Sequence, residues 1–302
     1  MNAPSCTIFN FIDARLARAP PPSAFAFIIL PMQPLIPSSV PAVFEHALQL
    51  ADPSWRPLLR DGLRAVAALD PAYLPALALD QYLPTEHRLF AAFSLPRPEV
   101  RYVLVGEGPY PRAASATGVC FMDGAVGDLW SEAGLSKPVN RATSLRNFMK
   151  MLLVADGQLQ PDATSGAALA PVAVKARAGE MIGTLAQLQA NLLAQGFLLL
   201  NAALVFRPHV PPPIEARAWQ PFLRTVLAAL AGSGAQLVLW GKIADQLKLL
   251  PEAQALGQLS AEHPYNLSFI KHAGMQALFG PMRLLQMAPG QNGGSKDKRA
   301  GI

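Results

Sequence analysis

Short apolar runs of strand length alternate along this chain with longer segments in which apolar residues recur at helical spacing. Trp55, Leu58, Leu59, Leu63, Val66 and Leu69 recur in that way and predict a helix over 54–70, with Ser54 placed to cap its first turn. Residues 86–93 predict a shorter helix. The continuous run Val103–Val105 predicts a first buried strand, which empties into a turn rich in Gly and Pro. A helix beginning at Thr143 or Ser144 runs to Ala155, and residues 158–180, rich in Ala, Gly, Pro and Thr, read as a loop. A helix over 181–195 leads to Gly196 and a second strand, Phe197–Leu200, which stops at Asn201. A helix over 217–231 passes through Gly232-Ser233-Gly234 into a third strand, Gln236–Trp240. Gly241-Lys242 opens another helix, and a fourth strand near Gln258–Ala261 runs into His263-Pro264. Strands alternating with helices predict an α/β fold, a three-layer α/β/α sandwich around a central, mostly parallel four-stranded sheet.

Composition narrows this picture without choosing a function. A chain of 302 residues that is 51% hydrophobic has enough apolar mass for a full core. The formal charge of +5 fits a phosphate-bearing partner, although it is small for this length. Cys6 and Cys120 are far apart and have no metal-type spacing, which predicts reduced thiols in a cytoplasmic protein. No run reaches the ~18 apolar residues of a membrane span. Residues 1–40 read as a poorly ordered leader, with Met32 as an alternative start. Residues 41–288 read as the domain, and 289–302 as a disordered basic tail carrying Lys296, Lys298 and Arg299.

Each apolar strand ends in potential chemistry. Glu107 and Tyr110 follow the first, Asn201 ends the second, Lys242 follows the third and His263 the fourth. In open parallel sheets, ligands bind outside the carboxyl ends of the strands. Asn offers a donor and an acceptor side by side, which suits the edge of a nucleobase or an amide. His can donate to an oxygen that gains charge. Tyr110, Phe121 and Trp240 could wall a flat ligand, and core packing explains each of them equally well.

Several of these stretches resemble motifs of the uracil-DNA glycosylases, in the same order, from about Ser54 to Leu285. Gly106-Glu107-Gly108-Pro109-Tyr110-Pro111 resembles the family's water-activating loop, GQDPYH. Gly118-Val119-Cys120-Phe121 is similar to its GLCF segment, and Thr143-Ser144-Leu145 to its PPSL loop. Leu198-Leu199-Leu200-Asn201 resembles LLLN, Trp219-Gln220-Pro221-Phe222 resembles WEQF, and Val238-Leu239-Trp240-Gly241 resembles LLWG. His263-Pro264-Tyr265-Asn266-Leu267-Ser268 is similar to HPSPLS.

The resemblance implies a DNA repair glycosylase that cleaves the N-glycosidic bond of uracil, or a related deaminated base, flipped out of DNA. It implies that Phe121 stacks on the base, Asn201 reads its edge and Tyr110 excludes a 5-methyl group. It further implies that His263 stabilises the departing anion and that Leu267 enters the duplex, while Ser144, Ser268 and Lys242 meet the DNA backbone. The expected protein is a monomer that needs no cofactor or metal.

The departures from the family pattern fall on the chemistry. Gly108 stands where the loop carries Asp, Pro111 where it carries His, and Tyr265-Asn266 where the last motif has Ser-Pro. Losing a preorganised charge from a dry site costs about 3–4 kcal/mol. Glu107 is a substitute carboxylate one residue away, and Asp123, two residues past Phe121, reads first as a turn residue. GEGP also resembles the loop of a broader-specificity branch of the superfamily that lacks the same Asp. Three functions therefore stay open: a glycosylase, an inactive DNA- or uracil-binding protein of the same fold, and a hydrolase of free nucleobase compounds. The repair reading requires that Tyr110, Asn201 and His263 share one slot left open by Pro111 and Tyr265.

Overall fold

Buried on both faces, the apolar runs form a four-stranded parallel sheet. In the computed structural model, which describes residues 40–287, β1 (Tyr102–Gly106), β4 (Phe197–Asn201), β5 (Gln236–Trp240) and β6 (Gly257–Ala261) lie in the order β4-β1-β5-β6. All the pairings are parallel. A separate hairpin pairs β2 (Trp130–Ser131) with β3 (Gly134–Leu135). The two-residue period of the strands sorts their side chains into two cores. Val103, Val105, Leu198, Leu200, Leu237 and Leu239 enter one of them. Leu104, Phe197, Leu199, Val238 and Trp240 enter the other. Burial on both sides explains why the inner strands read as continuous apolar runs. The edge strand β6 (GQLSA) is more polar, as an exposed edge requires.

The first face is covered by α1 (Ala42–Ala47), α2 (Arg56–Leu69) and α3 (Tyr73–Ala78) together with later helices. The second is covered by α4 (Lys137–Arg141), α5 (Thr143–Ala155), α6 (Gly166–Arg177) and α7 (Leu185–Ala194). After β4, α8 (Pro212–Leu230), α9 (Lys242–Leu247) and α10 (Pro251–Gln254) return to the first face, and α11 (Ala273–Phe279) closes the second. The connection leaving β1 thus crosses one face, while those leaving β4 and β5 cross the other. A crevice opens at the carboxyl end of β1, where the connections part.

Several local expectations are corrected. Ser54 does not cap α2: its hydroxyl donates to Asp52 and accepts from the Arg97 backbone N–H, so it ties two chain segments together. Residues 88–94 form a 3₁₀ segment rather than an α-helix, entered through Glu86 and His87 in the left-handed region. Helix α5, by contrast, begins at Thr143 and ends at Ala155 as expected, and it follows Ala142 with no side-chain cap. The expected loop over 158–180 contains α6. Its Pro171 removes one helical hydrogen bond, but Leu169, Val172, Ala173 and Ala176 are buried against the second core and outweigh that loss. Helix α7 starts at Leu185, four residues later than expected, because Thr184 and Gln187 form a capping box. Helix α8 starts at Pro212, five residues early, since proline is well suited to the first turn. Residues 1–39 and 288–302, with most of the expected leader and all of the tail, lie outside the described residues. Among the described residues no helix is long and apolar enough to cross a membrane.

A buried polar network fixes the segment between β4 and α8. Arg207 donates to Glu215 at 2.5 Å and to Asp80 at 3.1 Å, and the Tyr73 hydroxyl donates to the other Glu215 oxygen at 2.5 Å. Burial, and then the Glu215 carboxylate, push the Tyr73 hydroxyl up, so it stays protonated as a donor. Removing one partner from such a network leaves a buried charge without compensation. Glu215→Ala should therefore destabilise the fold by about 3–5 kcal/mol in urea titration. A loss below about 1 kcal/mol would show that Asp80 alone satisfies Arg207.

Candidate active site

A cavity of about 280 Å³ lies at the carboxyl end of β1. Its lining includes Glu107, Tyr110, Phe121, Ser144, Asn201 and His263, six residues from five separate chain segments. Trp240 lines it as well. Pro111 and Tyr265 do not: Pro111 lines two other cavities, and Tyr265 is 66% exposed.

The strand register sets the floor of the cavity. Gly106 pairs with Asn201 across β1 and β4. A Cβ on Gly106 would lie 2.5 Å from the Cys120 sulfur and 3.2 Å from Asn201 Oδ1. Glycine at this strand end is therefore what admits both groups. The Cys120 thiol is buried there, which pushes its pKa up to about 12 and keeps it an unreactive packing group. Asn201 is 5% exposed, and its side-chain amide has no hydrogen-bond partner among the described residues. Its donor and acceptor, open to the cavity and unpaired within the protein, are free to pair with the edge of a ligand.

Phe121 forms the aromatic wall. Its backbone has φ of 68°, a left-handed conformation that is strained for an aromatic residue by about 1–3 kcal/mol. The loop around it resists relaxation. Cys120 N–H donates to the Leu199 carbonyl, the Thr117 hydroxyl donates to the Met122 carbonyl, and Gly124 N–H donates to the Ser115 carbonyl. Behind Phe121, Phe148 and Trp240 meet its ring edge-to-face at 5.4 and 5.3 Å. Asp123 does not line the cavity. It accepts from Ala125 N–H and lies 3.6 Å from Arg112, which makes it a turn residue. Burial is the main cause that pushes the Tyr110 hydroxyl up and keeps it neutral.

His263 stands two residues beyond β6, against Gly241. Gly241 has φ of 68°, and a Cβ there would come within 2.8 Å of the His263 Cβ. The Tyr265 backbone N–H donates to Nδ1 of His263 at 3.1 Å. That bond requires an unprotonated Nδ1 and so assigns the Nε2–H tautomer. Although His263 as a residue is exposed, desolvation of its ring against the cavity is the dominant influence and lowers its pKa below 6.5. The Glu107 carboxylate acts in the opposite direction and is outweighed. The imidazole is thus neutral at pH 7, and its Nε2–H has no acceptor among the described residues.

Leu267 (68% exposed) and Ser268 are exposed on the loop beyond His263. Ser144 sits in the first turn of α5, whose leading N–H groups have no acceptor within the helix. Lys242 lies outside the cavity, in the two adjacent grooves. Asn147 was not anticipated from the sequence. It is fully buried in α5 and donates to the carbonyls of Pro264 at 2.8 Å and Tyr265 at 3.2 Å, beneath the His263 loop. An Asn on the buried side of an amphipathic helix was the available signal, but its partners lie 117 positions away.

Comparison with known proteins agrees with this geometry. Residues 93–286 match the family model described as the uracil DNA glycosylase superfamily. The uracil-DNA glycosylase of Mycobacterium sp. (strain KMS) is 28% identical over 73% of this chain and 83% of its own length. The one from Corynebacterium glutamicum is 30% identical over 65% and 73%. The wild-type UNG crystal structure from Nitratifractor salsuginis is 41% identical, with a TM-score of 0.75 over 81% of this chain and 97% of that one. With the family match spanning most of the chain, including both strand ends that carry Asn201 and the His263 loop, the chain belongs to the uracil DNA glycosylase superfamily.

Proposed function

We propose that this protein is a DNA glycosylase that hydrolyses the N-glycosidic bond of uracil, or a related deaminated base, everted from DNA. The observation that carries this reading is the cavity itself: it unites the unspent amide of Asn201, the face of Phe121 and the neutral Nε2–H of His263. The names of the relatives and of the structural neighbour support the same reading.

A base inside a duplex cannot reach such a pocket, so it must be flipped at a cost of a few kcal/mol. Leu267, exposed beside the cavity, fills the vacated stack. The free N–H groups of α5, with Ser144 and Ser268, hold the flanking phosphates, and Lys242 adds positive charge alongside. Once everted, the base stacks on Phe121. The Asn201 amide pairs its donor and acceptor with the uracil edge, and Tyr110 blocks a 5-methyl substituent.

As the bond from C1′ to the base nitrogen lengthens, positive charge gathers on the sugar and negative charge on the uracil oxygens. His263 Nε2–H donates to the nearer oxygen without giving up its proton. The Glu107 carboxylate faces the sugar cation and orients water, whose oxygen bonds to C1′ while its proton passes to solvent. The base leaves as an anion and is protonated afterwards, leaving an abasic sugar.

A second reading, binding without turnover, is favoured by Gly108, which stands where the resembled loop carries Asp. A Cβ on Gly108 meets nothing closer than the Ala203 carbonyl at 3.7 Å, and its backbone is outside the left-handed region. The backbone at this position therefore has room for the Cβ of an Asp. Gly108→Asp should raise the single-turnover cleavage rate on uracil-containing duplex by about tenfold or more. If the wild type cleaves nothing at high enzyme excess and this variant does, the binding reading replaces the catalytic one.

His263→Ala and Asn201→Ala should each lower the single-turnover rate at least about tenfold. Unchanged rates in both would remove the proposed site. The pH dependence follows from the lowered pKa of His263. The neutral donor persists as the pH falls through 6.5, so the rate should hold there and drop only at lower pH. A midpoint at or above 6.5, or the same profile in His263→Gln, would contradict the role given to this residue.

A further inference from the structure

We propose that Asn147 is a positioning residue for His263, setting the peptide plane whose N–H fixes the imidazole tautomer. The inference rests on the catalytic role given to His263 above. One peptide unit, between Pro264 and Tyr265, carries both contacts. Its carbonyl accepts from Asn147 Nδ2 at 2.8 Å, and its N–H donates to His263 Nδ1 at 3.1 Å. The peptide group is planar, with its C=O and N–H pointing in opposite directions, so holding the oxygen aims the hydrogen. A hydrogen bond to the carbonyl also polarises the amide and strengthens its N–H as a donor. The result is a chain of donors from Asn147, through the peptide, to Nδ1, leaving the imidazole proton on Nε2 at the cavity.

The anchor is built to be rigid. Asn147 is completely buried, and its Nδ2 also reaches the Tyr265 carbonyl at 3.2 Å and the Asn266 carbonyl at 3.5 Å. Its Oδ1 accepts from Arg146 Nε at 3.4 Å, which agrees with Nδ2 being the end turned to the loop. The next residue, Phe148, packs on Phe121, so the same helix turn braces the stacking wall. Ser144, three positions earlier, lines the cavity. Beyond the loop, Phe269 and Ile270 anchor the chain in the core, and Phe269 lies edge-to-face on Trp240.

Other charges act on the imidazole, and a test must leave them untouched. Glu107 faces it from the end of β1, with Tyr110 in the same cavity wall. Lys242 and Asp245 of α9, Lys248 just after it and Glu262 share the groove on its other side. Glu262 also lies 3.7 Å from His272. Arg146, next to Asn147 on α5, donates to the Asn147 Oδ1. Asn147→Leu removes the donor at similar volume and replaces none of these charged groups, although it also takes away the Oδ1 that accepts from Arg146.

The experiment is a pH titration of the full chain carrying ¹⁵N-labelled histidine, followed by NMR, with the His263 signals assigned through His263→Gln. In the wild type, His263 should hold the Nε2–H tautomer and titrate below 6.5. In Asn147→Leu the midpoint should rise toward 6.5 and the tautomers should mix, because Nδ1 is then free to take a proton. The single-turnover rate should fall by about tenfold or more, with the half-saturating DNA concentration within about twofold of wild type. A folded Asn147→Leu protein whose His263 titration and tautomer superimpose on the wild type would overturn the proposal. Should that variant fail to fold, the wild type supplies the test. In a uniformly ¹⁵N-labelled sample the Asn147 side-chain amide signals must shift with the His263 midpoint, and a flat response overturns the relay. These readouts need no substrate. A shifted tautomer in a protein that cleaves nothing would keep the positioning role and discard the glycosylase reading instead.

Discussion

The placement of β1 between β4 and β5 is the constraint on which the remaining structure depends. Both faces of the strand are buried, so its side chains are committed to the two cores, and its carboxyl end is where polar groups can gather. The connections that follow β1 and its neighbours cross opposite faces, which opens the crevice at that end. Within the crevice the approach is so close that Gly106 has no room for a side chain: the Cys120 sulfur and the Asn201 oxygen occupy that space. Asn201 is therefore presented to the cavity by the sheet itself, and its position carries the rigidity of strand pairing rather than the mobility of a loop.

Helix α5 complements the sheet by holding the pieces that the sheet does not. One turn of it supplies Ser144 to the cavity wall, Asn147 to the His263 loop and Phe148 to the back of Phe121. The strained backbone of Phe121 persists because hydrogen bonds to β4 and to its own loop leave the ring little freedom, and packing on two aromatic rings fixes its plane. A rigid aromatic face, a buried amide and a neutral imidazole suit recognition of a planar, hydrogen-bonding ligand, since each is in place before the ligand arrives.

The proposed chemistry differs from the family pattern mainly in its carboxylate. With Gly108 in the loop, the charge nearest the cavity is Glu107, whose influence reaches His263 across it. That arrangement couples the two groups: the carboxylate favours a protonated imidazole, while desolvation and the Tyr265 N–H favour a neutral one. The outcome at neutral pH rests on local geometry, which is why the support beneath the His263 loop matters as much as the residues lining the cavity.

Much of this was legible in the sequence. Apolar runs of strand length, each stopped by a polar or glycine residue, located all four sheet strands and placed Glu107, Asn201 and His263 at or just beyond their ends. Motif order placed the aromatic wall. Local pattern failed where packing overrode it. Helix α6 forms despite Pro171 because its small apolar residues find a buried surface, and Ser54 ties two segments together instead of capping a helix. Asn147 and the Tyr73–Glu215–Arg207 network were not legible because a polar residue, even on the buried side of a helix, does not reveal which distant group it pairs with. Periodicity and turn chemistry act over a few residues, so the chain by itself determined its elements and the side chains at their ends. Which of those ends meet depends on sheet order and on burial between residues more than a hundred positions apart, and that was decided by tertiary packing alone.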